Sequence, residues 1–203
     1  MESINSLSNS AVISARASAY PVFSHEVYGE KFYSFNAECM RRSGRVDTIP
    51  CIAPQRMLPC IVQDKLSLYS GQVRSCNKTV DGGSRLIISM FVKGVSENAF
   101  DDTLNEITLQ GYVCKKPVYR KTPFGREIAD MLIAVNRSFG KSDYIPAIAW
   151  GINARNAAEL EIGQKIHVEG RLQSREYEKM LEDGTIIRRT AYEVSVYALL
   201  AVE

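Results

Sequence analysis

The feature that most constrains this chain is that it repeats itself. The phrase Asp47-Thr-Ile-Pro-Cys-Ile-Ala-Pro54 returns as Asp143-Tyr-Ile-Pro-Ala-Ile-Ala-Trp150, with Pro50 and Pro146 offset by 146 − 50 = 96 positions. The same gap-free shift pairs Pro21 with Pro117, Gly29 with Gly125, Arg41 with Arg137 and Gly44 with Gly140. Proline and glycine fix unusual backbone geometry, so their agreement on one offset implies two copies of one folding unit. With a few inserted residues the match continues, setting "LYSGQVRS" (68 to 75) against "HVEGRLQS" (167 to 174). The joint falls near "SENAFDDTLNE" (96 to 106), where acidic and polar residues interrupt the apolar alternation. The expected units are residues 1–100 and 101–203.

The second copy is the more legible. Segments 106–113, 127–135, 143–150, 165–174 and 190–199 alternate apolar and polar residues or are rich in β-branched ones, which predicts five strands. "NARNAAELEIG" (153 to 163) predicts one short helix with a glycine stop, and "TPFG", "SFGKSD" and "EDG" (182 to 184) mark turns. Five strands with a helix between the third and fourth define the OB-fold, a small barrel whose strand face and loops bind single strands. The expected class is therefore all-β with short helices, two tandem OB-fold five-stranded barrels. In the first copy the helix slot, "QRMLPCIVQ" (55 to 63), holds Pro59 and leaves room for little more than a turn.

With 25 basic against 23 acidic residues, total charge announces no polyanion partner; any nucleic-acid surface must come from placement. Such placement exists. Between Tyr112 and Arg126 lie Lys115, Lys116, Arg120 and Lys121 with no acid among them. The five cysteines are odd in number, widely spaced and never Cys-x-x-Cys, so they are expected to be reduced, mostly buried apolar residues and not a disulfide framework or zinc site. The two histidines lack ligand spacing, and "FGKSD" lacks the first glycine of a phosphate loop, Val135 standing there. No catalytic constellation, metal or cofactor is expected. No run is long enough to span a membrane and "MESINSLSNS" is no signal peptide, which predicts a cytoplasmic, nucleoid-associated protein.

The run "GYVCKKPVYRKTPFGREIADMLIAVNRSFGKSDYIPAIAW", followed by "IGQKIHVEGRLQSREYEKMLEDG", resembles the bacterial single-stranded DNA-binding protein family over roughly Asn105 to Glu203. The resemblance implies sequence-independent binding of single-stranded DNA in replication, recombination or repair, without enzymatic activity. The family's aromatic positions hold Phe139, Tyr144, Trp150 and Tyr177, expected to stack bases, each of which presents a π-face to any aromatic platform. Arg120 falls at the family's first-hairpin arginine; Lys115, Lys116, Lys121, Arg126, Arg137, Lys141, Arg171 and Arg175 are expected phosphate partners, and Arg188 and Arg189 weaker ones. The family's habit of presenting four barrels implies a homodimer of this two-barrel chain. The family also appends a partner-recruiting tail, whereas this sequence reads to its end as a strand, "VSVYALLAVE". That departure keeps open an alternative, a primosome-type adaptor that docks on replication proteins and touches DNA weakly.

The offset of 96 places Phe139 on Ser43, Tyr144 on Thr48, Trp150 on Pro54, and Lys115, Lys116, Arg120, Lys121 and Arg126 on Ala19, Tyr20, Ser24, His25 and Glu30. Only Arg137 and Lys141 keep basic counterparts, Arg41 and Arg45. The first copy is thus expected to keep the barrel and lose most of the stacking platform, serving as a structural or partner-binding half. Its Tyr28, Phe32, Tyr33 and Phe35 are expected in core, edge or interface.

Overall fold

The computed structural model of the protein describes residues 8–80, 83–180 and 184–202. Among these residues twelve strands run in the order β1 (Asn9–Ala17), β2 (Val22–Val27), β3 (Glu30–Met40), β4 (Val46–Pro54), β5 (Leu66–Val80), β6 (Gly83–Ser96), β7 (Asn105–Val113), β8 (Val118–Lys121), β9 (Glu127–Asn136), β10 (Ser142–Trp150), β11 (Lys165–Met180) and β12 (Ile186–Ala201). The α-helix α1 (Ile152–Ala158) separates β10 from β11.

In each half the strands close on themselves. β1 pairs with β3, β3 with β4, β4 with β6 in parallel, β6 with β5 and β5 with β1. The second half repeats this circuit as β7, β9, β10, β12, β11 and back to β7, again with one parallel step. Alternation explains the closure, since every second residue turns into the barrel: Ile145, Ala147 and Ala149 of β10 are buried, while Tyr144 and Trp150 face out. The architecture is two tandem OB-fold barrels.

Each half adds a sixth strand to the expected five. β2 and β8 are short hairpin partners of β3 and β9, exposed along their whole length, so no burial pattern marks them in the sequence. The helix is shorter than expected. It stops at Ala158, where the buried Leu160 draws its N–H onto the Ala157 carbonyl, 3.2 Å, and the left-handed Gly163 instead closes the turn before β11. In the first half the same slot is a 3₁₀ turn, Gln55–Cys60, that contains Pro59. Of the turn expected at 182 to 184, only Gly184 is among the described residues, at φ 83°. The cysteines depart from expectation: Cys39 and Cys51 are buried in the core, but Cys60 and Cys76 are exposed and Cys114 is intermediate, all five free. Of the first half's aromatics, Phe32 and Phe35 are core residues and Tyr28 is fully exposed.

The halves join along β1 and β7, which pair antiparallel with Ala11 opposite Ile107. Because 11 + 96 = 107, this pair marks a pseudo-twofold axis. Away from the axis, two buried aspartates fasten the halves, and they are the first residues of the repeated phrase. Asp47 of the first half accepts from the Ser174 N–H (2.7 Å) and hydroxyl (2.9 Å) of the second, and from Arg41 Nε (2.6 Å) and Nη2 (2.5 Å). Asp143 reciprocates, accepting from the Ser75 N–H (2.7 Å) and from Arg74 (3.3 Å) and facing Arg137 Nε (3.3 Å). Burial would raise the Asp47 carboxyl, but Arg41 and Ser174 outweigh it and hold the group below the usual carboxylate range.

Candidate nucleic-acid interface

The reciprocal clasp sets the β3–β4 hairpin of the first half over the outer face of the second barrel, and the β9–β10 hairpin of the second over the face of the first. A groove lies under each hairpin.

The groove on the second barrel, about 470 Å³, gathers Trp150, Arg126, Arg171 and Arg175 with Arg41 and Arg45 from the first half. Trp150 ends β10 pointing outward and 36% exposed, its ring positioned by Nε1 donating to Ser195 Oγ at 3.1 Å. Outward positions of β11 and β12 supply the floor. Glu193 lines it too, taking the Gln173 amide at 3.0 Å and facing Arg175 at 3.4 Å. Arg41 is committed to Asp47, while desolvation and the nearby Arg41 charge push the Arg171 guanidinium downward. The crowded arginines leave the groove around the Trp150 ring positively charged despite Glu193.

The other expected site residues fall in four further places. Tyr177 stands on β11 beyond Trp150, with the Arg175 guanidinium 5.9 Å from its ring centroid. Phe139, Lys141 and Arg137 belong to the β9–β10 hairpin and line the other groove, which faces the first barrel. Phe139 is 98% exposed and adopts the left-handed φ of 63° that bulky residues avoid. Tyr144, half exposed on β10, donates its N–H to Ser75 Oγ at 2.8 Å across the joint.

The basic hairpin is less bare than its sequence. Acids from outside the basic stretch meet it: Lys116 pairs with Glu161 (2.9 Å) and Arg120 with Asp130 of the facing strand β9 (2.8 Å), while Arg137, on the next hairpin, pairs with Asp143. Lys115 and Lys121 are exposed on the same hairpin. Arg188 faces Glu178 at 3.6 Å. Sequence reasoning did not foresee that Arg41 and Arg45 serve the opposite barrel, nor the cluster of Arg74, Phe91, Lys93 and Arg56 on the first barrel's groove. The retained basic pair at offset 96 was the available signal for the former.

Among the described residues no helix is long and apolar enough to cross a membrane, and no group of His, Cys, Asp or Glu is placed to hold a metal ion.

Fold and grooves together define a tandem OB-fold protein with cationic, aromatic strand faces. Residues 104–200, just under half of the chain, match the model of the "Single-strand binding protein family". The second half is similar to single-stranded DNA-binding protein 2 of Listeria innocua (38% identical over 82 residues, 37% of this chain and 52% of that one) and to single-stranded DNA-binding protein A of Bacillus subtilis (39% over 82 residues, 37% and 48%). The Clostridium tetani single-stranded DNA-binding protein is 36% identical over 98 residues, covering 45% and 65%. The chain thus spans about half to two thirds of the length of these curated relatives. Both halves share the fold of the wild-type single-stranded DNA-binding protein from Thermus aquaticus, with a TM-score of 0.74 over 96% of this chain and 93% of that one at 18% identity.

Proposed function

We propose that this chain binds single-stranded DNA irrespective of sequence, by stacking bases on aromatics and holding phosphates on arginines, and that it catalyses no reaction. The observation that carries the reading is Trp150, exposed and oriented at the end of β10 within a ring of arginines drawn from both halves. Residues 101–203 form the principal binding unit and residues 1–100 the diverged one. The setting is replication, recombination or repair on the cytoplasmic nucleoid. A homodimer would present four barrels, an assembly of twice the 22.7 kDa chain mass that light scattering would detect.

The lone tryptophan makes the test direct. A short oligothymidine of about 8 nucleotides, inside one OB-fold's range, should quench Trp150 fluorescence on binding. Of the five groove arginines, Arg41 is offset by Asp47 and Arg175 by Glu193, leaving Arg45, Arg126 and Arg171 as net positive charges. Three phosphates neutralised give a salt slope of roughly −2, or roughly a 15- to 20-fold loss of affinity between 50 and 200 mM salt. Absence of quenching and binding would reject the reading and favour a protein-docking module.

A further inference from the structure

We propose that the first barrel carries a second groove for single-stranded nucleic acid, built on Phe91 and completed by Phe139 of the other half. This rests on the functional reading above and extends it to the half that has Pro54 where the other has Trp150.

The loss of Trp150's counterpart as Pro54 is offset one strand away. In the parallel step of the second barrel, Ile148 of β10 lies beside Ser195 of β12; in the first, Ile52 of β4 lies beside Phe91 of β6. Phe91 therefore occupies the position of Ser195, the residue that holds the Trp150 ring. A second contact fixes the same correspondence. At the strand irregularities, a Cβ on Gly71 would meet the Phe91 carbonyl oxygen at 2.0 Å, and one on Gly170 would meet that of Ser195 at 2.5 Å. The two barrels thus place one aromatic on the same outer face from exchanged strands, tryptophan beside serine in one and phenylalanine beside proline in the other.

The surroundings fit a nucleic-acid strand. Arg74, held by Asp143, lays its guanidinium 5.8 Å from the Phe91 ring centroid; the second barrel has a cation–ring pair of its own at different positions, Arg175 over Tyr177 at 5.9 Å. A planar cation on an aromatic face accepts a stacked base on one side and a phosphate at its edge. Lys93 and Lys141 add positive charge, while Arg56 is paired with Glu30 and Arg137 with Asp143. Phe139 stands on the opposite wall, fully exposed and strained, at the tip of a hairpin that the Asp143–Ser75 contact ties to this barrel. The space enclosed is about 790 Å³, larger than the groove at Trp150.

The test uses the full chain and separates the two grooves. Trp150 quenching reports the second barrel, while anisotropy of a labelled oligothymidine of about 30 nucleotides, longer than one fold's range, reports total binding. The double variant Arg56→Glu, Lys93→Glu reverses two exposed charges. It should leave Trp150 quenching by the short oligonucleotide unchanged, weaken the long one about tenfold and reduce the length of DNA covered per chain. As a readout independent of stability, photo-crosslinking of iodouracil-substituted DNA to the unaltered protein should mark peptides containing Phe91 and Phe139. Unchanged long-strand affinity and coverage in the variant, or crosslinks confined to Trp150 and Tyr177, would overturn the proposal. A wild-type protein that neither quenches nor crosslinks would instead reject the functional reading itself.

Discussion

Asp47→Ala tests whether the two barrels are one cooperative unit. The carboxylate is 1% exposed and takes four hydrogen bonds, two from Arg41 and two from Ser174 of the other half. Its removal leaves Arg41, 14% exposed, with only the Ser174 carbonyl at 3.1 Å, and strips the Ser174 N–H of its acceptor. Taking one partner from a buried ion pair costs about 3–5 kcal/mol, and the residual water access of Arg41 points to the lower end, about 3. For a chain of this length each kcal/mol lowers Tm by about 2–4 °C, so calorimetry at pH 7 should show a fall of about 6–12 °C. The pH dependence has a fixed sign. Because the folded Asp47 carboxyl lies below its ordinary value, its contribution is fully present above about pH 4 and is lost as pH falls through the folded value. The Tm gap between wild type and variant should therefore close on acidification. A gap under about 2 °C at pH 7, or one that persists unchanged at low pH, would refute the reasoning.

Asp143→Ala should cost less, because its two arginine contacts are 3.3 Å against 2.5–2.6 Å for Asp47; the same calorimetry ranks the two. Trp150→Ala should weaken binding of the short oligonucleotide by about 1–3 kcal/mol, roughly five- to 150-fold in Kd, with Trp150→Phe recovering most of it in an anisotropy titration. Gly170→Ala forces a Cβ to 2.5 Å from the Ser195 carbonyl oxygen, so chemical denaturation should show a loss of about 1–3 kcal/mol, whereas Gly163→Ala, strained but in open space, should cost about 1.

Much of the barrel was legible because barrel strands alternate, and the repeat turned two faint patterns into one firm one. What stayed hidden is instructive. β8 and β2 carry no alternation, since both faces are exposed. Asp47 and Asp143 read as strand openings because their partners across the joint lie 127 and 68 residues away, beyond any local pattern. The acids that neutralise Lys116 and Arg120 come from other elements, so an all-basic stretch overstated the local field. Phe91 escaped because the offset that aligned the third strands at 96 has grown to 195 − 91 = 104 by the last. The candidate site residues could be named by type; their division between two grooves, each roofed by the opposite half, needed the three-dimensional path of the hairpins.

The pairing of Ala11 with Ile107 carries a consequence for sequence freedom. In an assembly of identical chains a residue on the twofold axis must face its own copy, so a small side chain meets a small one and a large one meets a large one. Joining the halves in one polypeptide removes that rule. Here alanine faces isoleucine, both fully buried, a small-against-large fit at the axis that no symmetric dimer can adopt. Every other position across the joint is released in the same way, and either barrel can change its outer face without imposing the change on the other.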